Sequence, residues 1–69
     1  MGTKNAAEFF IEYRAAGDEN WECVPGTEHG YATEREAQGV LDDPVRGVAA
    51  LRRESPDEWD SCEFRIVVD

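Results

Sequence analysis

The chain has 69 residues, with sixteen Asp and Glu against seven Lys and Arg and a net charge of −9 at pH 7; that is room for one domain and not for two. The negative excess excludes ordinary electrostatic binding to a phosphate backbone. No apolar run approaches the roughly 20 residues of a membrane span and no signal-peptide pattern is present, so a cytoplasmic protein is expected. Hydrophobic residues at 41% and aromatics at 10% are enough for a thin core rather than a disordered acidic tail.

Residues 1–6 are polar and offer nothing to pack, so a loose N-terminal tail is expected, followed by a single domain over 7–69. Phe9-Phe10-Ile11-Glu12-Tyr13-Arg14 alternates with period two and reads as a half-buried strand, with Phe9, Ile11 and Tyr13 on one face. Gly17-Asp18 signals a turn. Trp21-Glu22-Cys23-Val24 then reads as a short strand with Trp21 and Cys23 facing inward, ended by Pro25-Gly26.

Thr33-Glu34-Arg35-Glu36 is a capping box: the Thr33 hydroxyl accepts from the Glu36 amide while the Glu36 carboxylate reaches back to the Thr33 amide. Ala37, Val40, Leu41, Val45, Val48 and Leu51 recur at helical spacing. Pro44 interrupts them and pushes Asp43 out of helical geometry. The pattern predicts one helix to about Asp42 and a second with Asp43 as its cap and Pro44 at its first position, or a single kinked helix. Ser55 to Asp60 is a polar connection with room for a helical turn. Cys62, Phe64, Ile66 and Val68 alternate with Glu63, Arg65 and Val67, which is the clearest strand in the chain.

The order is β-β-α(α)-β. It predicts an α+β fold with a three-stranded antiparallel sheet in the order 2-1-3 and one broken or kinked helical segment packed on one face. Cys23 and Cys62 then sit on strands separated by a third, beyond disulfide reach, so free thiols are expected.

Little in the sequence points to catalysis. A Cys23–His29 nucleophile pair needs an exposed thiolate in an electropositive niche, which a chain this acidic does not offer. Asp57, Asp60 and Glu63 lack calcium-loop spacing, and two Cys with one His make no zinc signature. Paired carboxylates need a cleft that such a small sheet rarely builds. A non-enzyme without cofactor or metal is expected.

The informative surface is the sheet face opposite the helices. By alternation it should carry Phe10, Glu12 and Arg14, then Glu22 and Val24, then Glu63, Arg65 and Val67. An apolar group among glutamates is what a docking face presents, although such faces are most often simply solvated, with Arg14 and Arg65 neutralising glutamates across strands. A second acidic concentration runs Glu54, Asp57, Glu58, Asp60 and Glu63 around Trp59. Trp59 there is either an aromatic anchor or a residue packed inward. The candidate partner-binding residues are therefore Glu12, Glu22, Glu63, Asp57, Glu58 and Asp60, with Phe10 or Trp59 as apolar anchor.

Through Phe9–Arg14, the helix start Tyr31-Ala32-Thr33-Glu34-Arg35-Glu36-Ala37, and Phe64–Val68, the chain resembles small standalone β-β-α-β proteins common in phages and mobile elements. Pro44 departs from the uninterrupted helix usual among them. The resemblance implies an anti-CRISPR or anti-restriction inhibitor, in some cases a DNA mimic, and transfers no functional residue. The expected partner is a basic nucleic-acid-handling protein, with no direct contact to nucleic acid or membrane, and the expected state is a monomer or homodimer. The competing expectation is a structural domain that self-associates through the open sheet face around Phe10 and Val67. Acidity from salt adaptation would account for the same composition without any partner.

Overall fold

The computed structural model describes residues 8–69; the N-terminal stretch 1–6 expected to be loose lies outside them. Three strands, β1 (Phe9–Arg14), β2 (Glu22–Cys23) and β3 (Glu63–Val68), form an antiparallel sheet in the order β2-β1-β3. Three helices, α1 (Glu34–Asp42), α2 (Val48–Glu54) and α3 (Pro56–Trp59), lie between β2 and β3 in the chain. The fold is α+β, with helices packed against the sheet. No helix of the described residues is long and apolar enough to cross a membrane.

The core forms where the inward face of β1 meets the helices. Ile11, Val24, Ala37 and Val48 are buried together, and Phe9, Tyr13, Tyr31, Leu41, Leu51 and Phe64 pack around them. Trp59 is also buried, edge-on to Tyr13 with ring centres 4.9 Å apart. Each of these side chains removes apolar surface from water at about 25 cal/mol per Å². In a domain of this size nothing else substitutes for them.

The face of β2 is opposite to the expectation. Glu12 pairs with Cys23 and Tyr13 with Glu22, and directly opposed residues share a face. Cys23 therefore lies on the open face, Trp21 joins it, and Glu22 turns toward the helix side. Val24 donates its N–H to the Ile11 carbonyl at 3.1 Å and is fully buried. Four residues are too few for alternation to decide a face, and a one-residue slip inverts every side chain. The core takes compact Val24, while the large amphipathic Trp21 keeps one side wet.

The α1 start is a capping box with a shifted return arm. Thr33 Oγ1 accepts from the Glu36 N–H at 3.1 Å, but Glu36 Oε1 accepts from the Ala32 N–H at 3.1 Å rather than from Thr33. At the other end, Asp43 is extended (φ −73°, ψ 115°), as a residue before proline should be. The second helix does not begin at Pro44. The Asp43 carboxylate instead accepts from the Val45 and Arg46 amides at 2.9 and 3.3 Å, which closes a separate turn, and α2 starts at Val48 after Gly47. Val45 consequently leaves the apolar stripe and is 74% exposed. Gly47 is required by close approach, since a Cβ there would land on the Val40 carbonyl oxygen.

Candidate functional site

The open sheet face is built by the β1–β3 register, which sets Phe10 opposite Val67, Glu12 opposite Arg65 and Arg14 opposite Glu63. Both charged pairs close as ion pairs: Arg65 Nη2 to Glu12 Oε1 at 2.7 Å and Arg14 Nη2 to Glu63 Oε1 at 3.2 Å. Arg65 also donates its Nε–H to the same Glu12 oxygen at 2.9 Å. Both guanidinium groups stand over the Trp21 ring, Arg65 at 4.0 Å and Arg14 at 4.7 Å from its centre. Phe10 is half-buried, and its ring leans on the backbone at Gly30, where an added Cβ would sit 2.7 Å from it. The expected carboxylate face is therefore a neutral layer of two ion pairs over one indole. Glu12 and Glu63 are committed within it, and Glu22 is not part of it.

The remaining carboxylates divide by what they hold. Asp18 accepts from the Asn20 N–H, Glu28 from the Gly26 N–H, and Asp42 from the Gln38 side-chain amide; with Glu36 and Asp43 these acids organise turns and helix ends. Glu8, Glu19, Glu22, Glu34, Glu54, Asp57, Glu58, Asp60 and Asp69 have no hydrogen bond or ion pair to their carboxylates among the described residues. Four of these nine fall in the short stretch from Glu54 to Asp60, on and beside α3.

The inverted face of β2 brings Glu22 to the same end of the molecule. The Tyr13 hydroxyl is held above its usual range first by burial and then by the negative charge of Glu22, the Cys62 thiol and Glu58. Tyr13 thus senses carboxylates from both β2 and α3, which lie far apart in sequence. Trp59, the last residue of α3, packs on Tyr13 and Phe64 and offers a partner no exposed ring. Its burial anchors α3 to the sheet, while Asp57, Glu58 and Asp60 are exposed.

Cys23 and Cys62 are free. Burial raises the Cys23 thiol pKa first, and the charges of Glu12 and Glu28 add to that, the opposite of nucleophile activation. His29 lies edge-on to Tyr31, ring centres 4.8 Å apart, and is not paired with Cys23. Among the described residues no group of His, Cys, Asp and Glu is placed to hold a metal ion. The sequence pattern points to Glu22 and to 57–60 separately; the action of both Glu22 and Glu58 on Tyr13 carries no local signal.

No protein-family model matches the chain, and no curated protein or solved structure matches it significantly.

Proposed function

We propose that the protein is a small, acidic, non-enzymatic binding module that occupies a basic surface of a nucleic-acid-handling partner and thereby inhibits it. The contact is made by Glu22, Asp57, Glu58 and Asp60 at the β2–α3 end. The observation that carries this reading is the division of labour among carboxylates. Those on the sheet face are neutralised in place, those at turns satisfy amides, and of the uncommitted ones Glu22 and Glu58 both act on Tyr13, with Asp57 and Asp60 exposed beside Glu58. Exposed carboxylates with no internal partner retain their full field, which speeds encounter with a positive surface and makes binding salt-sensitive. Face-on self-association through Phe10 and Val67 draws less support, because Phe10 already rests against Gly30 and its surroundings are charge-balanced.

The test is recovery of nucleic-acid-binding proteins from a host lysate, identified by mass spectrometry, with wild type and with a Glu22→Lys/Glu58→Lys variant. Wild type should retain them at low salt, release them at high salt and lose them to added duplex DNA, whereas the variant should not bind. Retention by the variant equal to wild type rejects the reading. A Glu12→Gln control should bind as wild type does.

A further inference from the structure

We propose that the outer edge of β3 pairs with β3 of a second copy of this chain, antiparallel and centred on Val67, so that two sheets join into one. This inference rests on backbone geometry and is independent of the acidic end.

The direction of each backbone group on β3 follows from one bond. Asp69 donates its N–H to the Glu8 carbonyl at 2.9 Å, which extends the one-for-one register of β1 with β3. Hydrogen-bonded and non-bonded pairs alternate along an antiparallel ladder. Positions 63, 65 and 67 therefore turn their backbone groups toward β1, and Phe64, Ile66 and Val68 turn theirs away from it. The other side of β1 agrees, since Phe9 and Ile11 bond toward Tyr31 and Val24. Among the described residues the outward N–H and C=O groups of Phe64, Ile66 and Val68 have no backbone partner.

Sheet proteins normally blunt such an edge with proline, a bulge, short length or charge. The β2 edge is blunted: it is two residues long and runs into Pro25. The β3 edge spans six residues without proline, glycine or bulge. Its charged side chains, Glu63 and Arg65, are drawn back over the sheet onto Arg14 and Glu12, and Val68 is left 61% exposed.

Self-complementarity selects the occupant and its register. Opposed residues must share a face, so the two-fold axis passes through a residue position. An axis at Arg65 opposes two guanidinium groups, and one at Ile66 opposes Glu63 to Asp69 of the second copy. An axis at Phe64 runs into Cys62, whose N–H is already bonded to the Trp59 carbonyl at 3.0 Å. An axis at Val67 opposes Arg65 to Asp69, Ile66 to Val68 and Val67 to itself, and both Ile66–Val68 pairs exchange two main-chain bonds. Each copy carries −9, a repulsion that salt screens within about 8 Å at physiological ionic strength. The pairing therefore tightens with salt, opposite to capture of a basic partner.

Sedimentation of the full chain should show a reversible dimer that strengthens severalfold between low and high salt. Val68→Pro should abolish it while circular dichroism stays native, because the Val68 N–H points away from β1; a dimer that survives Val68→Pro overturns the proposal. Should that variant not fold, cross-linking decides in a Cys23→Ser, Cys62→Ser background. Val67→Cys should form a symmetric disulfide, as a non-bonded antiparallel pair permits, and Glu12→Cys on the central strand should not. Cross-linking of Glu12→Cys as fast as Val67→Cys means face-on packing and overturns it. A chain that stays monomeric at high salt leaves the edge to a strand of another protein, which also overturns it. Neither result bears on the acidic-end variants.

Discussion

The Arg65 guanidinium carbon stands 4.0 Å from the centre of the Trp21 ring while its nitrogens bind Glu12 on the strand between them. One side chain thus spans the sheet from β3 to the β2 end and ties the short edge strand to the long one. Cation–π contact contributes about 0.5–1 kcal/mol at exposed sites and more when desolvated. Trp21 receives two such contacts and also covers Cys23's face of the sheet. Trp21→Ala should therefore lower stability by about 2 kcal/mol in denaturant unfolding. A double-mutant cycle of Glu12 and Arg65 should show a coupling of under about 1 kcal/mol.

The assignment of β2's faces is checked by substituting neighbours. Val24 is fully buried beside Ile11, so Val24→Ala should cost about 2 kcal/mol. Cys23→Ala, on the open face, should lie within about 0.5 kcal/mol of wild type. The reverse order in thermal melts would place Cys23 in the core.

Two glycines near the helix junction should respond with opposite signs. Gly47→Ala forces a Cβ onto the Val40 carbonyl and should destabilise by about 1–3 kcal/mol. Gly39, inside α1, has open space where a Cβ would go, so Gly39→Ala should stabilise by about 0.5–1 kcal/mol through helix propensity. Paired melting curves suffice for the comparison.

Asp43 makes stability depend on pH in acid. Amide hydrogen bonds from Val45 and Arg46 hold its carboxyl below the ordinary aspartate range. A folded pKa below the unfolded one means the contribution is fully present above the unfolded value and is lost as the pH falls through the folded value. Asp43→Asn, which keeps an acceptor but does not titrate, should flatten that acid limb in unfolding curves taken from pH 5 downward. An unchanged limb would assign it to other carboxylates.

Ionisation of Tyr13 reports the acidic end directly. Because Glu22 and Glu58 add to burial in raising it, Glu22→Gln/Glu58→Gln should let Tyr13 ionise at lower pH. Burial remains the first cause, so the return toward the ordinary tyrosine range is partial. Ultraviolet titration in a Tyr31→Phe background isolates the signal, and no change on removing both carboxylates would mean that they do not converge there.

The long alternating runs in the sequence, Phe9–Arg14 and Glu63–Val68, specify β1 and β3, because six residues of period two leave one consistent burial of Ile11 and Ile66. Pro44 and the Thr33–Glu36 box likewise mark the ends of α1 through local backbone rules. The proposed binding surface is legible only in parts: Asp57, Glu58 and Asp60 stand out as a run, whereas alternation alone puts Glu22 on the wrong face. Asp43 as the cap of a turn rather than of a helix was equally hidden, since its carboxylate satisfies amides in either geometry.

What the amino acids determined by themselves is the class of fold, the strand order and the negative charge, all of which follow from local periodicity and composition. Tertiary structure alone decided which carboxylates are neutralised and which stay free. That outcome depends on cross-strand register and on whether Trp21 or Val24 enters the core, a competition between residues distant in the chain.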